Sequence, residues 1–114
     1  MRTTCLVNNY NYRPYVGEAV DSALSQSVPF DEIIVVDDGS TDESLSFLRR
    51  EYASERRVKI VAKANGGQLS AFDEGVRHAT GDLVFFLDAD DCYRPEYLRE
   101  AAEIYEQRPV DFVI

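Results

Sequence analysis

The chain has 114 residues, which is enough for one domain with a single hydrophobic core and too short for a second domain. Hydrophobic residues make up 45% and charged residues 29%, a balance typical of globular proteins rather than disordered or fibrous ones. The formal net charge of −9 argues against nucleic acid and anionic membrane surfaces as partners, unless a local basic patch overrides it.

The densest group of basic residues does not form such a patch. Glu51 and Glu55 lie among these residues, so we interpret the group as a solvated helix face and not as a nucleic-acid site. An anionic ligand would therefore need a metal ion or backbone amides to bind. The basic residues of this group are Arg49, Arg50, Arg56, Arg57 and Lys59.

Two cysteines, Cys5 and Cys92, are too few for a disulfide framework and lie in unlike contexts, an apolar run and an acidic segment. The chain shows no charged-then-apolar leader and no apolar run near the roughly 18 residues that a membrane span requires. We therefore predict a reduced, cytoplasmic setting with no transmembrane segment in this chain. Whether the full-length protein lies at the inner face of a membrane is left open.

The apolar pattern alternates between two periods along the chain. Runs of about five residues rich in β-branched or aromatic side chains predict strands, and stripes spaced i, i+3, i+4, i+7 between them predict helices. A capping box at 40–43 predicts the start of the second helix, and Pro95 suits the first turn of the fourth. The predicted strands are 3–7, 32–36, 58–62, 82–87 and 110–114, and the helical stripes cover 16–24, 45–52, 69–79 and 98–105.

This alternation predicts one α/β domain over residues 1–114. Its strands are continuously apolar, which indicates a parallel sheet covered on both faces by helices. In open sheets of this kind ligands bind beyond the carboxyl ends of the strands. The residues that directly follow each strand are therefore the candidates for a functional site.

An acidic segment follows the second predicted strand. Ser40, Thr41 and Asp42 are interpreted as residues that make a turn and cap a helix. Capping explains Asp37 and Asp38 less well, because adjacent carboxylates repel each other and one suffices for a turn. A ligand with donors, such as the imide N–H of a uracil or a ribose hydroxyl, would relieve that repulsion.

Three carboxylates in four residues follow the fourth predicted strand. Asp88, Asp90 and Asp91 would repel one another unless a cation neutralised them. The D-x-D spacing directs two side chains of an extended segment the same way. Mg²⁺ and Mn²⁺ favour oxygen ligands, and Mg²⁺ commonly takes one or two carboxylates together with water and substrate phosphates. We therefore predict a divalent metal site here.

Two adjacent glycines open the third predicted helix, in the segment Asn65-Gly66-Gly67-Gln68. Glycine lets the backbone approach a ligand closely, and the N-terminus of a helix presents free amides. Because this segment lies at the same sheet edge as the acidic residues, we expect it to belong to the same site.

Together these segments resemble the N-terminal, nucleotide-binding half of a family 2 inverting glycosyltransferase. The resemblance covers nearly the whole chain and depends on the order and spacing of the motifs. It implies a glycosyltransferase A-type fold, in which this half is Rossmann-like. The segments are Asn9-Tyr10-Asn11, residues 33–42, Asn65-Gly66-Gly67-Gln68, and Phe86-Leu87-Asp88-Ala89-Asp90-Asp91.

The resemblance implies a nucleotide-diphosphate-sugar, with UDP as the first candidate nucleotide, as the donor. Asn9, Tyr10 and Asn11 would line the pocket for the base, and Tyr10 would stack on the base. Asp37 and Asp38 would contact the base or the ribose, with Asp38 the favoured of the two.

The resemblance also implies Mn²⁺ or Mg²⁺ as the cofactor. Asp90 matches the favoured direct metal ligand of the D-x-D motif, and Asp88 would lie nearer the ribose or a bound water. Ala89, Asn65 and Gly66 complete the implied nucleotide-binding set.

Two departures limit what can be carried over from the family. Many relatives have Ala-Arg-Asn a few residues after the glycines, whereas this chain has Ala71-Phe72-Asp73, so the donor sugar stays open. A family catalytic domain is about twice this length, so we expect the acceptor site and the catalytic base beyond residue 114. The prediction is the donor-binding part of an inverting, metal-assisted enzyme that is inactive alone, with an unidentified sugar, lipid or protein acceptor.

Other readings of the sequence remain as alternatives. A phosphotransfer receiver domain would place its acidic pair after the first strand, whereas the pair here follows the second. A haloacid-dehalogenase-like phosphatase would use Asp88 as nucleophile and Asp90 as acid, but Asp91-Cys92 departs from its motif. A non-catalytic nucleotide-binding module is the third alternative.

Overall fold

The structure is a computed structural model that describes residues 1–107 and 112–113, in which a parallel sheet is flanked by helices. The strand order is β3-β2-β1-β4-β5, so β1 lies at the centre. This arrangement confirms the predicted α/β class. The strands are β1 (Thr3–Asn9), β2 (Glu32–Asp38), β3 (Val58–Lys63), β4 (Leu83–Asp88) and β5 (Phe112–Val113), and the helices are α1 (Arg13–Leu24), α2 (Ser44–Glu51), α3 (Gln68–His78) and α4 (Tyr97–Gln107).

Helices cover both faces of the sheet, which explains why its central strands are apolar along their length. Successive side chains of a strand point to opposite faces, so β1 directs Cys5 and Val7 to one face and Leu6 to the other. The first face packs against apolar residues of α1, α2 and α4. The second packs against α3 through Ala71. Both layers are therefore fixed by the same alternation in β1.

The first two strands run two residues further than predicted. Polar residues end both strands and still pair in the sheet, with Asn9 opposite Asp37 and Asn8 opposite Asp88. The predicted post-strand segments thus begin inside the sheet, which fixes the positions of their first side chains. Of the fifth predicted strand, Phe112–Val113 pair with β4, and the remaining residues lie outside the described part of the chain.

The capping box predicted at 40–43 is wrong, because α2 begins at Ser44 and Ser40 does not cap it. Asp42 does this instead, and its carboxylate accepts the backbone N–H of Ser44 at 2.9 Å. Its other oxygen accepts the N–H of Arg13, the first residue of α1, at 3.1 Å. Asp42 therefore caps two helices, which agrees with its interpretation from the sequence as a capping residue. Pro95 lies just before α4, which begins two residues later.

The basic group is a solvated helix face only in part. Arg49 and Arg50 lie exposed on α2, but Lys59 belongs to β3. Arg57 is half-buried and donates to the backbone carbonyls of Phe30 and Leu24. The Arg57 guanidinium therefore bonds to the protein backbone and does not belong to a solvated helix face. Separately, none of the helices in the described residues is long and apolar enough to cross a membrane.

Candidate functional site

A cleft of about 460 Å³ opens at the carboxyl ends of β1, β2 and β4. The N-terminus of α3 closes one side of the cleft, so three strands and a helix converge on it. This is the position at which open parallel sheets bind ligands. The lining residues are Asn8, Asn9, Tyr10, Tyr12, Asp38, Asn65, Gly67, Gln68, Ala71, Asp88, Ala89 and Asp90.

Asp88 and Asp90 both line this cleft and are exposed. No hydrogen bond or ion pair within the described residues engages either side chain. Between them Ala89 is buried, and its N–H donates to the carbonyl of Asn8, which ties the turn to β1. Asp91 instead lines a neighbouring cleft. The three acidic residues are therefore divided, two on the main cleft and one beside it.

These two carboxylates suit a divalent cation that is shared with a ligand. In residues 1–107 and 112–113, no group of three or more histidine, cysteine, aspartate or glutamate side chains is placed to hold a metal ion by itself. Mg²⁺ needs only one or two carboxylates when phosphate and water oxygens complete its shell. Asp88 and Asp90 supply that number of free oxygen donors, so the donor set fits a phosphate-bridging ion.

Asp38 is bound almost entirely by the protein. One carboxylate oxygen accepts from the Lys63 ammonium at 2.9 Å and from the Gly66 N–H at 3.0 Å, and the other accepts from the Gly67 N–H at 2.9 Å. Burial opposes ionisation here, but these hydrogen bonds and the positive charge of Lys63 outweigh it and lower the pKa of Asp38. Asp38 therefore holds the loop between β3 and α3 against the end of β2.

Asp37 lies outside the cleft and has its own set of donors. Its carboxylate accepts from the side chains of Asn9, at 2.9 Å, and Ser40, at 2.7 Å. The backbone N–H of Ser40 adds a third bond at 3.1 Å. Asp37 and Asp38 thus bond to separate groups, so protein donors stabilise both carboxylates and their repulsion does not by itself indicate a ligand. Their contacts with a nucleotide stay a prediction.

The glycine segment is used differently from the sequence expectation. The Gly66 and Gly67 amides donate to Asp38, so they are not free for a ligand. Gly39 is required for a different reason, since its φ is +71° and a Cβ there would come within 2.5 Å of the Asn65 nitrogen. Asn65 in turn donates to the Asp38 carbonyl at 2.9 Å. The segment therefore forms a wall of the cleft, and its two glycine amides bind Asp38 and not a ligand.

Of the residues predicted to line the base pocket, Tyr10 lies on the cleft and Asn11 does not. Tyr10 lines the cleft and is 44% exposed, so a face of its ring is accessible for stacking. Asn11 does not line the cleft, and its side-chain oxygen accepts the N–H groups of Thr41 and Asp42. It adopts a φ of 60°, which asparagine tolerates better than most residues. Its role in the structure is to join two loops.

Sequence reasoning missed Lys63, which neutralises Asp38. The signal was available, since a single lysine ends β3 in register with Asp38, but that register depends on knowing which strands pair. Sequence reasoning also omitted several residues that line the cleft. These are Asn8, Tyr12 and Ala71.

Comparison with known proteins agrees with this geometry. The family model described as glycosyl transferase family 2 matches residues 4–114. The chain therefore belongs to glycosyltransferase family 2. An uncharacterized glycosyltransferase from Nostoc sp. is 38% identical over 111 residues, which cover 96% of this chain and 34% of the relative. The chain thus spans about a third of the length of such relatives.

Solved structures of similar proteins share the fold. S. aureus TarS in complex with UDP-GlcNAc has a TM-score of 0.83 and 31% identity, covering 94% of this chain and 32% of that one. A mannosyltransferase from Pyrobaculum calidifontis in complex with GDP-Man and Mn²⁺ has a TM-score of 0.86 and 31% identity. That match covers 96% of this chain and 33% of the mannosyltransferase. The fold is therefore that of the nucleotide-binding region of glycosyltransferase A-type enzymes.

Proposed function

We propose that this chain is the donor-binding part of a metal-assisted, inverting glycosyltransferase whose donor is a nucleotide-diphosphate-sugar. The observation that carries the proposal is the pair Asp88 and Asp90, which are exposed on the cleft and free of partners within the described residues. In a chain of net charge −9, a diphosphate needs a cation at this position to approach.

Asp90 and Asp88 would hold Mn²⁺ or Mg²⁺, with Asp90 the direct ligand. When bound, such an ion stabilises the negative charge of a departing diphosphate. Tyr10 supplies a ring on which the base can stack, and Asp38 and Asn65 also line the cleft. One similar structure holds UDP-GlcNAc, which supports the ligand class. Another holds GDP-Man together with Mn²⁺, which supports both the ligand class and the ion.

The transfer step and the acceptor belong to the proposal as well. Inversion needs a base that removes the proton of the acceptor hydroxyl. The relatives are about three times as long as this chain, so they have room for that base and for a sugar, lipid or protein acceptor site. We expect no transfer by the 114-residue chain alone, and turnover of any nucleotide-sugar by it would contradict this.

Calorimetric titration of UDP and GDP, each with and without Mn²⁺, tests the donor site. We expect Mn²⁺ to strengthen binding at least tenfold in the wild type and Asp90→Asn to abolish that gain. Asp91→Asn is the matched control, because it removes the same charge one residue away but faces the neighbouring cleft. Binding that is independent of Mn²⁺, or equally weakened by both substitutions, would refute the metal site.

Of the alternatives, the phosphatase is not favoured, because the family model matches residues 4–114. A non-catalytic nucleotide-binding module is likewise not favoured, since the named relatives are glycosyltransferases. The two free cysteines, one buried and one exposed, support a reducing cytoplasmic setting as part of the proposal.

A further inference from the structure

Lys63 is a cation held inside the wall of the cleft without lining the cleft itself. Its side chain is 16% exposed, and its ammonium lies 2.9 Å from the Asp38 carboxylate, which is 6% exposed. The same ammonium donates to the carbonyl of Ala64 at 2.6 Å. Lys63 therefore connects the end of β2 to the first residue of the loop that precedes α3.

Gly66 lies close to this ammonium and leaves no room for a larger residue. A Cβ at Gly66 would come within 3.0 Å of the Lys63 Nζ and 2.8 Å of the Ser70 Oγ. The Gly66 and Gly67 amides bond to the same carboxylate that Lys63 engages. Residues 64–67 are thus held by bonds to Asp38 and by the bond from Lys63 to the Ala64 carbonyl. Three of the residues that line the cleft, Asn65, Gly67 and Gln68, lie in this segment or directly after it.

The charge of Lys63 matters as well as its contacts. Asp38 faces a cleft that also exposes Asp88 and Asp90. Without the ammonium, Asp38 would be a third uncompensated carboxylate on a cavity that must admit a diphosphate. A cation behind the wall reduces that repulsion without occupying any of the space that the ligand needs.

We infer that Lys63 is a positioning residue for the nucleotide donor, which acts through Asp38 to fix residues 64–67 as one wall of the cleft. This inference rests on the proposed function, because it assumes that the cleft binds a nucleotide diphosphate. Lys63 does not line the cleft, so its effect is on the affinity for the nucleotide and not on the dependence on Mn²⁺.

The test is calorimetric titration of UDP in the presence of Mn²⁺ with Lys63→Met. We expect the Kd to rise at least tenfold, whereas the ratio of affinities with and without Mn²⁺ stays as in the wild type. Lys59→Met is the matched control, since it removes the same charge from the same strand, where Lys59 pairs with Glu32 at the other end of the sheet. We expect its Kd to lie within twofold of the wild type.

Two further variants separate positioning from general stability. Lys63→Arg keeps the charge and should recover most of the affinity. Gly66→Ala keeps the lysine but displaces its ammonium, so it should weaken UDP binding about as much as Lys63→Met. It also carries the test if Lys63→Met does not fold, because the three atoms nearest to the added Cβ belong to the side chains of Lys63 and Ser70 and not to the backbone.

The outcomes distinguish this inference from the proposed function. If the folded Lys63→Met or Gly66→Ala protein binds UDP as tightly as the wild type, Lys63 is not a positioning residue, whatever its melting temperature. Loss of the Mn²⁺ dependence in Lys63→Met would also overturn the inference. If the wild type itself binds neither UDP nor GDP, the proposed function fails first.

Discussion

Carboxylates end both β2 and β4, but the two strand ends differ in what those carboxylates contact. Asp37 and Asp38, at the end of β2, are buried and accept hydrogen bonds from side chains and backbone amides of neighbouring loops. Asp88 and Asp90, at the end of β4, are exposed and engage no side chain or amide within the described residues. The same residue type at the same sheet edge is thus used in two ways.

The difference separates acids that hold the fold from acids available to a ligand. A buried carboxylate whose donors come from the protein stabilises the native state, and removing it leaves those donors unpaired. An exposed carboxylate without partners contributes little to stability and can bind a cation. Substitutions at the end of β2 should therefore cost stability, whereas substitutions at the end of β4 should weaken cation binding with little effect on stability.

The largest effect on stability is expected for Asp38→Asn. The substitution leaves the partly buried Lys63 ammonium without its counter-charge and weakens two backbone hydrogen bonds. We expect the free energy of unfolding to fall by about 3 kcal/mol, measured by urea denaturation. Lys63→Met in the Asp38→Asn background should then cost far less than it does alone, because the two residues act as one pair. Additive losses would contradict this pairing.

Glu32 is a buried carboxylate at the opposite end of β2 from Asp37 and Asp38. Burial opposes ionisation of this carboxylate, but hydrogen bonds from Thr4 and Thr80 and the charge of Lys59 outweigh it and lower its pKa from 4.5 to about 2. A pKa that is lower in the folded state contributes stability above pH 4.5, and this contribution is lost as the pH falls toward 2. We expect about 2 kcal/mol of it to be lost by about pH 3.

Denaturation of Glu32→Gln across the acid range isolates this contribution. The variant should be less stable than the wild type at neutral pH, and the difference should shrink as the pH falls below 4.5. Thr41→Ala is the control, since it changes no ionisable group. A difference for Glu32→Gln that persists at about pH 2 would show that lost contacts, and not ionisation, account for it.

The sequence predicted the α/β class and the two acidic strand ends, because continuous apolar strands and post-strand polar residues are local patterns. It could not distinguish the roles of Asp38 and Asp90. That distinction depends on strand register, which places Lys63 opposite Asp38, and on the path of Gly66 and Gly67. The sequence also grouped Asp91 with Asp88 and Asp90, whereas in the structure Asp91 lines the neighbouring cleft.

Asp42 provides an intermediate case, with protein partners but no buried ion pair. Burial opposes its ionisation, and hydrogen bonds from Ser44 and the Arg13 N–H outweigh this and lower its pKa. We expect Asp42→Ala to destabilise the protein by about 1 kcal/mol through loss of two helix caps. Thermal unfolding measures this, with Thr41→Ala as a neighbouring control. An effect as large as that of Asp38→Asn would mean that these cap contacts stabilise the protein by more than helix caps ordinarily do.

The smallest effect on stability is expected where the effect on binding is largest. Asp90→Asn removes a charge from an exposed side chain that has no partner in residues 1–107, so the free energy of unfolding should change by less than about 0.5 kcal/mol. Replacing a carboxylate beside Asp88 even relieves repulsion, so a slight gain in stability is also consistent. Urea denaturation without metal measures this change, and in the presence of UDP, adding Mn²⁺ should then stabilise the wild type further but not the variant. A destabilisation comparable to that of Asp38→Asn would place Asp90 among the acids that hold the fold, and the contrast between the two strand ends would be lost.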